Sequence, residues 1–300
     1  MIVGRLAGAG ERSIARENPR REAVAGTFLW LALVGGSALL AIAWVWAAGG
    51  WALAAVSGHG PAPFGLGLPF LGVALVVVYL VGTTLWLKSL FALRTLVRFC
   101  ERPLGRPLEE MRTLVAGVVN RPTQELDAVL LHSALIESAV ENTTDSVVSP
   151  LTYYGVFGLP GMVAYRAINT LDALVGHRDR HWRYVGQCSA TMDHAANYFP
   201  DRLAALLFRG VSPARGARVP AVVHSDPDQT ISATILWISA VLGVRLERRG
   251  SYVVNPDARE PTADDVHRAL VIVRRTATVS LGIALLLLGV LTYVGWTYLL

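Results

Sequence analysis

Glu137, Glu141 and Asp145 follow one another at four-residue intervals in ESAVENTTDSVVSP. On an α-helix that spacing stacks three carboxylates on one face. Like charges at i,i+4 cost a helix about 0.2–0.5 kcal/mol per pair. The row therefore calls for solvent, for neighbouring arginines, or for a divalent cation or cationic ligand to offset the repulsion. Asn142 stands beside Glu141, and two further polar sets follow. In AYRAINTLDALVGH, Tyr165, Asn169 and Asp172 recur at helical spacing with Arg166 next to them. In TMDHAANYFPDRL, Asp193 and Asn197 are four residues apart and Arg202 follows Pro200. Carboxylates with Asn are hard oxygen ligands suited to Mg²⁺. Arg166 and Arg202 can grip phosphate or carboxylate through forked hydrogen bonds. His177 and His181 form an i,i+4 pair in HRDRH, but no third ligand accompanies them, which favours a hydrated loop.

These residues need elements to hold them. Pro122 and Thr123 in NRPTQELD predict a helix start, with Thr123 as its cap and acids in the first turn. That helix carries the carboxylate row and is expected to stop at Pro150. The next stretch, LTYYGVFGLPGMVAYRAI, is apolar and aromatic but broken by Gly155, Gly158, Pro160 and Gly161. It reads as a re-entrant or interfacial hairpin. ILWISAVLGV, residues 235–244, is short enough for a core helix or one side of a shallow hairpin. Arg94, Arg98 and Arg102 recur every four residues with Leu90, Leu93 and Val97 between them, giving a basic amphipathic helix suited to headgroup contact, ended by Pro103 and Pro107. No alternating strand pattern persists, so the class is mainly α.

Composition sets the surroundings. The 300 residues are 53% hydrophobic and 16% charged, well below the ~25% charged of a typical soluble domain. Residues 23–87 contain no Asp, Glu, Lys or Arg, and neither do residues 276–300. Runs at 24–48, 66–87 and 277–300 each reach the ~20 residues that cross a bilayer core, predicting three transmembrane helices in a polytopic integral membrane protein. The organisation expected is 1–87, an N-terminal arm and two spans; 88–275, a helical cytoplasmic or membrane-edge region with the site; and 276–300, a third span. The positive-inside rule puts the Arg-rich N-terminus and 88–275 in the cytoplasm, with the 49–65 loop and the C-terminus outside the cell membrane. The first run is too long for a signal peptide. The net charge of +5 fits cytoplasmic retention and anionic lipid rather than nucleic acid, for which no motif is present. Cys100 and Cys188 lack CxxC partners and read as reduced thiols. The sequon at Asn142 falls on the inner side. Lys88 is the sole lysine, which excludes a P-loop.

Three blocks now stand in order: E-x-x-x-E-N-x-x-D-x-x-x-x-P, Y-R-A-I-N-T-L-D and D-x-x-x-N-x-x-P-x-R. Together they resemble the CobD/CbiB family of cobalamin biosynthesis, the adenosylcobinamide-phosphate synthases. The dense likeness covers residues 131–207, with looser flanks at GRLAGAGE and KSL. Where members commonly read R-D-T, R-L-D-D and S-P-N-A-G, this chain has Arg121-Pro122-Thr123, Thr191-Met192-Asp193-His194 and HSDPDQT. The resemblance implies a membrane enzyme that joins adenosylcobyric acid, a corrinoid, to aminopropanol or its phosphate, with ATP as co-substrate and Mg²⁺ as cofactor. It implies catalytic roles for Glu137, Glu141, Asp145, Asp172 and Asp193, with Glu141 and Asp145 on the metal. Asn142, Tyr165, Arg166, Asn169, Asn197 and Arg202 would bind substrate, and Tyr153, Tyr154, Phe157 and Tyr165 would wall an aromatic cleft for the corrinoid.

Two other classes compete. A non-catalytic scaffold gathering corrinoid-pathway enzymes, or a divergent paralogue using another amine, would tolerate the lost motif acids. A transporter would need ionisable groups within its spans, and the three predicted spans contain none. The orientation is open to cysteine-accessibility labelling at Ser57 and Asp179. Position 57 is expected to label from outside and position 179 only after permeabilisation; labelling of 179 from outside overturns the topology.

Overall fold

The computed structural model describes residues 24, 27–28, 31–43, 86–175, 186–212, 218–224 and 230–299, with side chains to residue 286. The 49–65 loop, the 66–87 run save its last two residues, the His177–His181 pair and most of HSDPDQT lie outside the described residues. The described helices are α1 (31–43, opening with the π-helical turn Leu31–Gly35), α2 (86–101), α3 (Leu108–Ala116), α4 (Ala128–Thr143), α5 (Ser149–Val175), α6 (Gln187–Val211), α7 (Ala233–Leu242) and α8 (Ala263–Leu299). A π-helical turn, Thr144–Val148, joins α4 to α5. The class is mainly α, as expected.

A small sheet was not legible beforehand. Strands β1 (Val222–His224), β2 (Leu246–Arg248) and β3 (Tyr252–Val254) form an antiparallel sheet in the order β1-β3-β2. Each strand has three residues, too few for alternation to register. Gly250, at φ +74°, makes the turn between β2 and β3, which pairs Arg248 with Tyr252 and Leu246 with Val254.

The chain divides into two compact units, Met1–Leu87 with Pro150–Tyr198, and Lys88–Ser149 with Phe199–Leu300. In the second unit, α4 is the central element. Leu131, Ala134, Leu135, Ile136, Ala139 and Val140 are all fully buried, so the helix is apolar nearly all round. It packs against α8, α3, α7 and β2. Full burial of each such Leu or Ile contributes about 1.5–3 kcal/mol. Helix α7 is a core helix, with Ile235 and Ile238 buried; Gly243, in the left-handed conformation, ends it.

The helix start differs from the sequence expectation. Asp127, not Thr123, caps α4, accepting from the Leu130 N–H at 2.9 Å. The Thr123 hydroxyl is buried and donates instead to the Arg112 carbonyl at 2.9 Å. Nor does Pro150 stop the helix. The π-helical turn just before it runs from i to i+5, with the Ser149 N–H on the Thr144 carbonyl. That wider winding accommodates a residue without an N–H and with a ring that crowds the preceding turn.

In the first unit, α5 folds back on itself. Gly158 has φ +65° and ψ −157°, a region open essentially to glycine alone. The Tyr153 and Tyr165 rings stack at 5.1 Å, although twelve residues of straight helix would separate them by about 18 Å. A tight helical hairpin results, in line with the broken pattern read from the sequence. Its second arm packs through Ala167, Ile168 and Leu171 on Val34 of α1.

Two helical stretches among the described residues are long and apolar enough to cross a membrane, Ala128–Leu174 and Ala263–Leu286. The second overlaps the C-terminal span expected from sequence. The first falls in the region expected to be cytoplasmic or at the membrane edge, with a re-entrant or interfacial segment, and the fold-back at Gly158 means that it is not one rod. Of the run at 24–48, the described helix covers 31–43.

The hairpin yields a paired prediction. A Cβ at Gly161 would stand 2.4 Å from the Phe157 Cβ and 2.7 Å from the Tyr153 carbonyl oxygen, whereas one at Gly155 meets nothing within 4 Å. Gly161→Ala is expected to destabilise by about 1–3 kcal/mol through overpacking. Gly155→Ala should be neutral or slightly stabilising. Thermal unfolding in detergent checks both; equal melting temperatures would contradict the close approach.

Candidate functional site

The carboxylate row acquires its partners in the second unit. Glu137 is 3% exposed, and both of its oxygens are engaged. Arg121 Nη2 donates to Oε2 at 3.0 Å, and Ser133 Oγ donates to Oε1 at 3.2 Å. Ser133 in turn accepts from the Glu247 N–H at 2.7 Å, which ties β2 to α4. Arg121 comes from the irregular segment that Thr123 anchors, so the loop's hydrogen bond to Arg112 positions the guanidinium. Arg248, at the end of β2, adds a second positive charge felt by Glu137 and Glu141. The two arginines thus supply the offset that the acidic spacing requires. Arg248 did not stand out in the sequence.

Glu141, one turn on, is half-buried. The charges acting on it are those of Glu137, Arg248, Arg121 and Asp201. Tyr252, across the hairpin from Arg248, is 1% exposed, and its hydroxyl has no hydrogen-bond partner. Burial, followed by the carboxylates of Glu137 and Glu141, pushes that hydroxyl well above the usual phenol range, so it stays protonated. A buried O–H donor facing acids with nothing to donate to is costly and is a place where a ligand can pair. Beside this cluster lies a pocket of about 420 Å³ lined by Arg121, Gln124, Glu125, Glu247 and Arg249 among others. It presents both signs of charge.

Asp145 sits in the π-helical turn, so the regular row ends at Glu141. The Thr144 hydroxyl beside it is buried without a partner. Asn142 donates to the Ser138 carbonyl at 2.9 Å. Among the described residues, no three His, Cys, Asp or Glu side chains group to hold a metal. Glu141 and Asp145 could supply two hard oxygens, leaving other positions to water or substrate phosphate, the manner in which Mg²⁺ is commonly held.

Asp201 has a structural task. It accepts from the Ser232 hydroxyl at 2.6 Å, the Ala233 N–H at 2.5 Å and the Thr234 N–H at 3.2 Å. It thereby caps α7, placing a negative charge where the helix dipole favours one. Its neighbour Arg202 is exposed on α6.

The second and third sequence sets meet in the first unit. Tyr165 donates its hydroxyl to Asn197 Oδ1 at 2.9 Å, and Asn197 Nδ2 donates to Asp193 Oδ2 at 3.0 Å. Asn169 Nδ2 reaches the other Asp193 oxygen at 3.5 Å, the weakest of the three. Burial pushes the Asp193 carboxyl above the usual carboxylate range, against the opposite pull of the two amides and His194. Asp172 lies within the field of Asp193. Tyr153 stacks on Tyr165 and donates to the Ala196 carbonyl at 3.1 Å. Arg166 is half-buried next to Tyr165. Cys100, buried on α2, has its thiol pushed up to about 12 by burial and the Glu101 charge, so it is a packing residue.

The sequence model described as "CobD/Cbib protein" matches residues 1–279. The chain belongs to that family. A Pyrococcus furiosus relative is 42% identical over 186 residues, 61% of this chain and 63% of the relative. One from Archaeoglobus fulgidus is 40% identical over 159 residues, 53% of each chain. A third, from Methanocaldococcus jannaschii, is 33% identical over 196 residues, 62% of each. All three carry the name "Probable cobalamin biosynthesis protein CobD". The matched stretches span 53–63% of these relatives' lengths. No solved structure matches the chain.

The Arg121–Glu137 pair sets a stability prediction. Arg121→Met strands a buried carboxylate and is expected to cost about 3–5 kcal/mol. Combining it with Glu137→Gln should recover most of that loss. Thermal unfolding of both variants in detergent decides the matter. A cost below about 1 kcal/mol for the single change would rank the pair with exposed ion pairs.

Proposed function

We propose that this chain acts in cobalamin biosynthesis as a membrane-bound amide ligase. It would join the carboxylate of adenosylcobyric acid to aminopropanol or its phosphate, using ATP and Mg²⁺. Family membership and the relatives' names support the pathway. The observation that carries the reaction is the unpartnered, protonated Tyr252 hydroxyl beside Glu141, Arg121 and Arg248.

The chemistry requires a poor electrophile to be activated. Attack of the corrinoid carboxylate on the ATP γ-phosphorus would give an acyl phosphate and ADP. The ammonium form of the amine first gives up one proton; the free amine then attacks the acyl carbon, inorganic phosphate departs, and a second proton leaves the nitrogen as the amide forms. Glu141 would take the first proton, from the ammonium, and the departing phosphate would take the second. Tyr252 would donate to the oxyanion that develops on the acyl group. Arg121 and Arg249 line a pocket that also holds Glu125 and Glu247. Such a lining suits a small molecule bearing both a phosphate and an ammonium group. Mg²⁺ bound at Glu141 and Asp145 would lower the charge repulsion between phosphates and the incoming carboxylate. Glu137, with both oxygens engaged, positions Arg121.

In the first unit, Asp193, Asn169 and Asn197, with Tyr153, Phe157 and Tyr165, form a separate polar and aromatic set to which no step of the ligation is assigned. Arg166 and Arg202 remain candidates for phosphate contact. The apolar runs support a multi-pass cell-membrane protein with the Arg-rich segments in the cytoplasm.

Purified protein in detergent, given adenosylcobyric acid, aminopropanol phosphate and ATP–Mg²⁺, is expected to form the amide, detected by mass spectrometry. Tyr252→Phe removes an unpaired hydroxyl and should leave the melting temperature unchanged or raise it. The same change should slow amide formation by about 10²–10³-fold, the worth of one oxyanion donor. Full activity in Tyr252→Phe would take the hydroxyl out of the site. Corrinoid binding without turnover in the folded wild type would favour the scaffold reading.

A further inference from the structure

A groove of about 500 Å³ runs between α2 and α8 in the second unit. Its apolar side is Leu90 and Ala277 over the buried Leu93, Val97 and Val273, and Arg94, Arg98, Glu101 and Arg274 line it as well. Arg274 is already paired with Glu101. Arg94 and Arg98 are exposed, and neither enters an ion pair among the described residues. The groove therefore offers two uncommitted guanidiniums, one helical turn apart, above an apolar trough.

Its place along the chain matters as much as its lining. The α2 wall begins where the uncharged stretch 23–87 ends at Lys88, and the α8 wall lies where the uncharged stretch 276–300 begins after Arg275. Both walls thus stand at a change from uncharged, largely apolar chain to charged chain. That is the level at which a lipid headgroup meets its acyl tails. A soluble phosphate would use the arginines and leave the trough bare, and a neutral lipid would use the trough and leave the arginines unanswered.

We propose that this groove is a binding site for one anionic phospholipid. The headgroup phosphate is held by Arg94 and Arg98, and an acyl chain lies along Leu90 and Ala277, over the buried Leu93, Val97 and Val273. The site is independent of the ligase reading, since none of these residues belongs to the carboxylate, tyrosine and arginine cluster. It gives the basic helix a defined ligand in place of diffuse attraction to a charged surface.

The test uses the full-length protein in neutral detergent, with phosphatidylglycerol and phosphatidylcholine of matched chains titrated in by native mass spectrometry and thermal unfolding. Wild type is expected to retain phosphatidylglycerol preferentially and to melt higher with it. Arg94→Gln/Arg98→Gln should lose that preference by roughly fivefold for each arginine removed. Arg94→Lys/Arg98→Lys should keep much of it, because a point charge still meets the phosphate. Equal retention of the two lipids by wild type overturns the proposal, as does an unchanged preference in the glutamine variant. Stabilisation by glycerol 3-phosphate equal to that by the lipid would also overturn it, because the trough would then play no part.

Discussion

A carboxylate buried in the central helix of the second unit constrains everything built around it. Glu137 lies among Leu131, Leu135, Ile136 and Val140, residues that exclude water. A lone charge there would be prohibitive. Its neutralisation requires Arg121 on one side and Ser133 on the other. Arg121 can reach only if the segment before α4 is irregular, which Pro122 and the Thr123 hydroxyl bond ensure. Ser133 is held in turn by the β2 backbone. The loop, the helix and the sheet are thereby fixed to one another by a single acid.

The same constraint explains why the reactive groups are open where they are. Once Glu137 has taken the near arginine, Glu141 is left half-buried, with Arg248 and Tyr252 facing the pair. The unsatisfied Tyr252 hydroxyl weakens the fold locally, a cost compatible with a site whose missing partner is a ligand. In the first unit the analogous work is done by Asp193, whose oxygens collect two amides, and whose neighbour Asn197 secures Tyr165.

Much of this was legible from residue types alone. Four-residue spacing identified Glu137 and Glu141, and it correctly paired Asp193 with Asn197. The break at Gly155, Gly158, Pro160 and Gly161 announced the hairpin, and of these Gly158 takes the backbone region open essentially to glycine. What escaped were partners far away in sequence. Arg248 and Tyr252 come from strands too short to show a period. Thr123 looked like a helix cap because local rules see a hydroxyl before a helix, not the Arg112 carbonyl that claims it. Pro150 looked like a stop because the π-helical turn that relieves it has no sequence signature of its own. Asp201, inside a helix next to Pro200, gave no hint that it caps another helix thirty-two residues later.

The unequal sequence distances to the partners of Glu137 have a consequence for how the chain is made. Arg121 is sixteen residues ahead of the acid, whereas the Ser133–Glu247 bond spans one hundred and fourteen. As the polypeptide emerges, the guanidinium is therefore already out when the carboxylate appears, and the pair can form by closing a short loop. The strands that cover it come later, after the whole of Pro150–Tyr198 has been synthesised. A nascent chain bearing this helix carries a neutralised acid from the start, which removes the largest barrier to burying it early. The sheet then closes over a charge that its own residues never had to neutralise alone.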